Sequence, residues 1–355
     1  MSFDALKNIK SIEIGDLFSL LPSYDLGDQA LLLTSGHFAR QDFASRIVKS
    51  LPNINVLVCS QVTPNPEVKN LERLKDKYKA RFSSIIALGG GSVLDTAKIL
   101  SLWLGSRDTL FSALNDSCLK NVPLIPVIAI PTTAGTGAEV TPFATAWDRE
   151  NNKKHSITGI KPSSVILDAN MTLSLGRSET LYSALDALSH ALESLWNINR
   201  TDKTSEYALA AIDLICHYLP QVLDKSDNIE AREKLLLAAT LSGLAISETK
   251  TAIAHAISYP VTLQFGVPHG LACSFTLMSI LNLYGYEKLN LSRDLADRVV
   301  SLLRNLKLSE EIERFVQWPD LLEQMNTQLD PSRAGNFAIK FGEQDILDII
   351  QGARD

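Results

Sequence analysis

Apolar, β-branched runs alternate with helix-like segments through the first half of the chain. The runs at 29–35, 53–60 and 83–92 are short, carry no charged residue, and end in polar or glycine residues. Because they lack polar alternation, the sheet that they form must be covered on both faces. Strands that alternate with helices pair in parallel, so the pattern predicts a doubly wound α/β domain over residues 1–170.

The second half of the chain has a different periodicity. From about residue 171 onward, apolar residues recur every three or four positions and continuous β-branched runs disappear. The segments at 205–223, 231–247 and 292–306 show this spacing, which is typical of amphipathic or buried helices. We therefore predict an all-α domain over 171–355 that ends in a short helix.

Composition excludes several classes of function. The 355 residues carry a net charge of −6, and no basic stripe is present that could bind a phosphate backbone. Charges interrupt the apolar residues of the amino-terminal segment, and the longest apolar run, 122–131, contains three prolines and is too short to span a bilayer. We expect a cytoplasmic protein without nucleic-acid or membrane partners.

The four cysteines, Cys59, Cys118, Cys216 and Cys273, form no short-spaced pair. In a cytoplasmic protein, cysteines scattered in this way are isolated reduced thiols. A zinc site rich in thiolates is therefore not expected.

A glycine-rich turn joins the third apolar run to the next helix. Gly89, Gly90, Gly91 and Ser92 stand where the free amides of a helix amino terminus can bind an anion. Asp95, in the first helical turn, could orient the loop amides or accept a hydrogen bond from a ligand hydroxyl. A tight strand–helix turn that binds no ligand is the alternative explanation of the glycines.

A second loop, PTTAGTG, follows the next apolar run. Thr132, Thr133 and Thr136 offer hydroxyl groups, and Gly135 and Gly137 expose backbone amides. Loops that follow strands of one parallel sheet open at the same edge, where ligands of this fold class bind. Neither loop has the spacing G-x-G-x-x-G, so a nucleotide would be held differently from the way ordinary Rossmann dehydrogenases hold it.

One carboxylate and three imidazoles in the helical half are candidate metal ligands. Asp186 and His190, four positions apart, project from one face of a helix, while His255 and His269 lie at the two ends of a later segment. Imidazole and carboxylate suit a divalent transition metal, and open coordination positions would leave room for a substrate. Each residue alone also fits a simpler role, as a surface pair, a hydrogen-bonded core histidine or a loop residue.

The motifs GGGSVLDTAK, PTTAGTGAEVT, DALSHALES and HAISYPVTLQFGVPHG resemble the iron-dependent (group III) alcohol dehydrogenase family in content, order and spacing. The resemblance implies an α/β Rossmann-like nucleotide domain followed by an all-α metal-binding domain, the dehydroquinate synthase-like fold of the iron-containing alcohol dehydrogenases. It also implies a homodimer and a metal ion on Asp186, His190, His255 and His269. Fe(II) is the expected ion, and zinc is its competitor.

The same resemblance implies a nicotinamide cofactor. The predicted cofactor-binding residues are Ser35, Gly89, Gly90, Gly91, Ser92, Asp95, Thr132, Thr133, Thr136 and Lys154. Lys153 is the alternative to Lys154.

The first apolar run ends in a departure from the family pattern. NAD-using members often carry an aspartate after this strand, whereas this chain has Ser35 and Gly36. Without that carboxylate a 2′-phosphate is not repelled, and Ser35, His37 or Arg40 could contact it. We therefore predict that NADP is favoured over NAD.

Two further departures bear on catalysis. Tyr259 stands where many relatives have a second histidine, which places the usual proton relay in doubt and makes the Tyr259 phenol one candidate donor. A packing role for this aromatic ring is the alternative. Lys250 stands where relatives are commonly small and apolar, and it could hold an anionic substrate group or simply be a solvated helix residue.

In having a lysine at this position, the chain is similar to the phosphonate-metabolism branch of the family, the phosphonoacetaldehyde reductases. This likeness implies hydride transfer from NADPH to phosphonoacetaldehyde, which yields 2-hydroxyethylphosphonate. A general short-chain alcohol dehydrogenase acting on lactaldehyde or an alkanal is the alternative. A dehydroquinate synthase-like lyase and a non-catalytic sensor fit the motifs less well.

Overall fold

The computed structural model describes residues 9, 11–78, 81–104, 124–151, 153–324 and 329–354; Cys118 lies outside them. The chain forms two compact units. An α/β unit contains the described residues up to Thr133 together with Ala138–Thr172, and a helical unit contains Ala134–Gly137 and the residues from Leu173 onward. Within the described ranges, no helix is both long enough and apolar enough to cross a membrane.

The α/β unit is built on a parallel sheet. Its strands are β1 (Ile12–Ile14), β2 (Gln29–Thr34), β3 (Asn55–Cys59), β4 (Ser84–Gly89), β5 (Val127–Pro131), β6 (Phe143–Asp148), β7 (Lys153–Thr158) and β8 (Ser164–Leu167), and its helices are α1 (Leu17–Leu20), α2 (Gly36–Arg40), α3 (Phe43–Ser50), α4 (Val68–Lys77) and α5 (Gly91–Trp103). Six strands pair in parallel in the order β1-β8-β5-β4-β2-β3, and β6 and β7 form a separate antiparallel pair.

Apolar side chains cover both faces of the sheet. Leu31 and Leu33 of β2 pack in a cluster with Ile99 of α5, whereas Leu32 packs on the other side with Ile47 of α3. Successive residues of a strand point to opposite faces, so a strand buried on both sides must be apolar at every position. This arrangement confirms the predicted α/β fold class.

The β6–β7 hairpin, like strands β1 and β8, was not identified from the sequence. It is joined to α5 through Lys98, whose side chain is fully buried. The Lys98 Nζ lies 3.2 Å from Asp95 Oδ1 and donates to the carbonyl oxygens of Thr141 and Phe143. The other Asp95 carboxylate oxygen accepts a hydrogen bond from the Thr145 amide at 3.0 Å. One buried cation therefore connects the glycine-loop helix to the start of the hairpin.

Replacing Lys98 with Met should lower the free energy of unfolding by about 3–5 kcal/mol, because Asp95 and two carbonyl groups lose their buried cation. Chemical denaturation followed by circular dichroism measures the change. Lys69, whose ion pair with Glu150 is exposed on both sides, provides the control, and Lys69→Met should leave stability nearly unchanged. Equal denaturation midpoints for wild type and Lys98→Met would contradict the structural role of Lys98.

The helical unit confirms the prediction of an all-α second half. Its helices are α6 (Arg177–Leu195), α7 (Asp202–Asp224), α8 (Ile229–Thr249), α9 (Ile253–Phe265), α10 (His269–Ala272), α11 (Leu277–Tyr284), α12 (Arg293–Leu306), α13 (Leu308–Ile312), α14 (Trp318–Gln324), α15 (Pro331–Ala334) and α16 (Glu343–Gln351). Helix α6 packs against α7 and α8 and is buried over most of its length. Polar residues of α6 are therefore placed in a desolvated interior.

Candidate metal centre and cofactor loops

The structure brings the four predicted metal ligands together around one carboxylate oxygen. Asp186 Oδ1 lies 3.6 Å from His190 Nε2, 3.4 Å from His255 Nε2 and 3.8 Å from His269 Nε2. The helical spacing of α6 accounts for the first approach, and α9 and α10 supply the other two histidines. Asp186, His190 and His255 are buried, whereas the His269 side chain is 41% exposed. The cluster is therefore accessible from the side of His269.

A buried glutamate that the sequence analysis missed fixes the orientation of His255. Glu193 accepts hydrogen bonds from the amides of Ala252 and His255 at 2.9 and 3.0 Å, and it lies 2.7 Å from His255 Nδ1. A proton on Nδ1 leaves the lone pair of Nε2 directed toward Asp186. The Nε2 atom is buried and has no hydrogen-bond partner among the described residues, as a ligand nitrogen requires.

Cys273, which the sequence analysis interpreted as an isolated thiol, is a second neighbour of the cluster. Its Sγ lies 3.5 Å from Asp186 Oδ1, and the ligand atoms of Asp186, His255, His269 and Cys273 lie within 4.8 Å of one another. The sequence signal was its position one helical turn after His269. Burial and the Asp186 charge raise the pKa of the Cys273 thiol well above its usual value, so the neutral thiol is favoured.

The electrostatics of the cluster favour a cation. Burial alone would raise the pKa of Asp186, but the neighbouring imidazoles lower it well below its usual range. For His255, burial disfavours the charged form, yet Glu193 and Asp186 outweigh burial and raise its pKa to about 9. Burial lowers the pKa of His190 to about 4, although the charge of Asp186 acts to raise it. Two buried carboxylates with imidazole donors fit a divalent transition metal, which competes with protons for the same nitrogens.

Glycines allow the segments around Asp186 to approach closely. A Cβ at Gly270, next to His269, would lie 1.8 Å from the Tyr182 carbonyl oxygen of α6. In the threonine loop, a Cβ at Gly135 would lie 2.8 Å from the Ser183 carbonyl oxygen, and one at Gly137 would lie 2.4 Å from the Cα of Gly243. The glycines that the sequence analysis interpreted as amide donors thus also serve tight helix packing.

The predicted cofactor loops meet at one edge of the α/β sheet. The ends of β4 and β5 are in register, with Gly89 opposite Pro131, and the Thr132 amide donates to the Gly89 carbonyl oxygen at 3.1 Å. A Cβ at Gly90 would lie 3.1 Å from the Thr133 side chain. Ser35 follows β2, the other neighbour of β4. Strand order reverses beside β2 and β4, and crevices at such reversals are where open α/β sheets bind ligands.

Several predicted cofactor residues also have structural partners. Ser92 Oγ accepts a hydrogen bond from the Asn65 amide at 3.1 Å, and Asp95 is bound to Lys98. Lys154 lies on β7 opposite Trp147, with its Nζ 5.2 Å from the centre of the indole ring. Gly91 begins α5, and Thr136 is half-buried in the threonine loop. The cofactor contacts of these residues stay predictions, and the Lys153 side chain lies outside the described part of the chain.

The two predicted catalytic residues occupy different positions. The Tyr259 ring lies 6.0 Å from the His269 ring, and burial raises the pKa of its phenol to about 12. Lys250 directly follows α8, and it has an exposed side chain and a backbone φ of 64°, which L-residues rarely adopt. Its carbonyl oxygen accepts a hydrogen bond from Asn197 Nδ2 at 3.2 Å. The structure thus places Tyr259 beside the cluster of candidate metal ligands.

Comparisons with known proteins assign both halves of the chain to one family. The family model for iron-containing alcohol dehydrogenases matches residues 13–169, and the family model for the carboxyl-terminal part of the Fe-containing alcohol dehydrogenases matches residues 180–331. Phosphonoacetaldehyde reductase of Streptomyces viridochromogenes is 34% identical over 69% of this chain and 64% of its own length. The 1-propanol dehydrogenase of Citrobacter freundii is 30% identical over 71% of this chain and 65% of its own length.

A solved structure extends the likeness to almost the entire chain. Sulfoacetaldehyde reductase from Bifidobacterium kashiwanohense, in complex with NAD+, superposes with a TM-score of 0.84 at 25% identity. The match covers 97% of this chain and 96% of that one. With family models on both halves, the motifs in order and the fold in common, the chain belongs to the iron-containing alcohol dehydrogenase family.

Proposed function

We propose that the protein is a metal-dependent, NAD(P)-linked alcohol dehydrogenase that interconverts a small aldehyde and its primary alcohol. The observation that carries this proposal is the convergence of Asp186 with three imidazoles, one of them oriented by Glu193. Purified protein loaded with Fe(II) should consume NADPH when an aldehyde is added and should lose this activity after chelation. Absence of turnover with every aldehyde tested would contradict it.

In this function Asp186, His190, His255 and His269 would hold Fe(II), or zinc as the alternative, and the chemistry that such an ion would supply is Lewis-acid polarisation of the carbonyl oxygen. Asp186 contributes the negative charge, and Glu193 keeps His255 in the tautomer whose Nε2 is a ligand. A nicotinamide cofactor would supply the hydride for the carbonyl carbon, and the protein would have to supply a proton for the carbonyl oxygen. Tyr259 is our candidate donor, because a phenol with a pKa of about 12 retains its proton at neutral pH.

The proposed cofactor is NADP rather than NAD. Ser35 and Gly36 leave the position after β2 without a carboxylate, and the exposed Arg40 lies nearby, with its Nη1 3.3 Å from where a Cβ of Gly36 would be. A 2′-phosphate at this position would meet the Arg40 guanidinium in place of a repelling carboxylate. The glycine and threonine loops would hold the pyrophosphate through backbone amides and hydroxyl groups.

Replacing Gly36 with Asp should reverse this preference, lowering the ratio of kcat/KM for NADPH to that for NADH by roughly 100-fold, because like charges would face each other. A side chain fits at this position, since the nearest atoms belong to the flexible Arg40 side chain. Gly36→Asn is the matched uncharged control and should change the ratio much less. A wild-type preference for NADH, or equal effects of Asp and Asn, would contradict the assignment.

For the substrate, we propose phosphonoacetaldehyde, which is reduced to 2-hydroxyethylphosphonate. The support is the likeness to phosphonoacetaldehyde reductase together with the likeness of the fold to a reductase of another anionic aldehyde. The alternative is a general short-chain alcohol dehydrogenase, which the 1-propanol dehydrogenase relative favours. A comparison of kcat/KM for phosphonoacetaldehyde, lactaldehyde and propanal separates the two, since only the first proposal predicts a strong phosphonate preference.

A homodimer in the cytoplasm completes the proposal. Sedimentation of the purified protein at several concentrations tests the dimer.

A further inference from the structure

Next to the metal cluster, an arginine lies on the face of Tyr259. The Arg333 guanidinium carbon is 4.6 Å from the centre of the Tyr259 ring, and that ring is 6.0 Å from the His269 ring. The guanidinium is therefore within about 11 Å of an imidazole of the cluster. Among the four ligand candidates, His269 has the most exposed side chain, at 41%.

Arg333 is held in place by its neighbours. Its Nη1 donates a hydrogen bond to Thr251 Oγ1 at 2.6 Å, and its Nε lies 3.5 Å from Asp330 Oδ2. Asn336 Nδ2 donates to the Thr251 carbonyl oxygen at 2.8 Å, which fixes the segment after α15 to the start of α9. The Arg333 side chain is 22% exposed. Within the described residues, no hydrogen bond engages its Nη2, so donor capacity remains for a ligand.

The metal ligands and Tyr259 do not account for an arginine at this position. A neutral aldehyde needs no cation beyond the metal ion. A two-carbon aldehyde that ends in a phosphonate or sulfonate needs a second cationic contact at its far end. A guanidinium suits such a tetrahedral oxyanion because its planar set of donors can bind two oxygens, and an ordered side chain loses little freedom on binding.

We propose that Arg333 is the specificity-determining residue that binds the oxyanion of the substrate. The inference deepens the function proposed above and rests on it, and it assigns to Arg333 the role that sequence reasoning gave to Lys250. Lys250 is exposed at the end of α8, whereas Arg333 is packed on Tyr259 beside the cluster. The shared chemistry is a tetrahedral oxyanion two carbons from the carbonyl oxygen, and phosphonate and sulfonate are its two sources.

The test compares Arg333→Met with Lys250→Met in the iron-loaded enzyme. For Arg333→Met, kcat/KM with phosphonoacetaldehyde or sulfoacetaldehyde should fall at least about 30-fold, mainly through KM, since charged hydrogen bonds are lost. Its kcat/KM with propanal should change less than about threefold. Lys250→Met should affect neither class strongly, and Arg333→Lys should recover part of the anion preference. The aldehyde that loses more on Arg333→Met identifies the oxyanion the site prefers, and a loss with either one supports the proposal.

Equilibrium binding of ethylphosphonate, measured by calorimetry, adds a readout that does not depend on turnover. Wild type should bind this probe, and Arg333→Met should bind it at least tenfold more weakly while retaining its iron content. Equal losses for propanal and the anionic aldehydes, or a loss confined to Lys250→Met, would overturn the proposal. If wild type turned over no aldehyde, the proposed function would fail, and the ethylphosphonate comparison would still decide whether Arg333 binds an oxyanion.

Discussion

Replacing Asp186 with Asn should lower kcat/KM by at least about 1,000-fold and remove most of the bound metal. The amide has the shape of the carboxylate but carries no charge, and Asp186 Oδ1 is the atom that all three imidazoles approach. Without that charge, a divalent ion in this buried site would be held by neutral donors alone, which removes the main electrostatic attraction. Metal analysis after gel filtration and steady-state kinetics measure the two effects.

A matched substitution controls for the general effect of losing a carboxylate. Asp213 forms an ion pair with Arg298 at 2.6 Å but is about half exposed. Asp213→Asn should retain the metal and full turnover. If Asp186→Asn bound iron stoichiometrically and kept its turnover, Asp186 would not be a ligand.

Glu193→Gln should weaken metal affinity by about 10- to 100-fold, although Glu193 is not itself one of the four candidate ligands. Glu193 Oε1 accepts from the His255 amide, whereas Oε2 accepts from the Ala252 amide and lies 2.7 Å from His255 Nδ1. A glutamine keeps only one acceptor oxygen, so when that oxygen accepts from the His255 amide, its NH2 group faces His255 Nδ1 and the Ala252 amide. His255 would have to accept at Nδ1 and carry its proton on Nε2, the atom directed at Asp186. The metal would compete with that proton.

Titration of the folded apoprotein with Fe(II) in the presence of a competing chelator measures this affinity. Glu248→Gln, at a half-exposed position on α8, is the control and should change nothing. A purely structural role for Glu193 would lower thermal stability equally with and without metal. Unchanged metal affinity in a folded Glu193→Gln variant would therefore rule out the orienting role.

The sequence predicted those helices and strands whose pattern of buried positions can be read from consecutive residues. The apolar runs of β2 and β4 and the spacing of α7 and α8 are set by which faces each element buries, and that information lies in consecutive residues. The β6–β7 hairpin was not predicted, because its alternating pattern is short and its contact with Lys98 joins residues more than forty positions apart in the chain.

In the candidate site, the metal-ligand candidates were predicted, but the residues that surround them were not. Residue type and position identified the four candidate ligands and the resemblance implied the same set, but neither indicated Glu193 or Arg333 as a neighbour. Glu193 orients a histidine 62 positions away, and Arg333 contacts Thr251 across 82 positions, so neither partnership leaves a local signal. Cys273 did leave one, its spacing from His269, and the sequence analysis did not weigh it.

Glycine was the residue type that the sequence left most ambiguous. In the loop after β5, free amides for an anion and close helix packing both require a missing side chain. The contacts of Gly135 and Gly137 with α6 and α8 show that packing alone excludes a side chain there. Sequence alone could not separate these causes, because the partner backbone lies far away in the chain.

The proposed function requires one metal ion held by Asp186, His190, His255 and His269. X-ray absorption spectroscopy of the iron-loaded protein tests this ligand set most directly. We predict a coordination shell of nitrogen and oxygen only, with the multiple-scattering signature of three imidazoles. A sulfur shell at about 2.3 Å, the distance typical of a metal–thiolate bond, would place Cys273 on the metal and contradict the assignment.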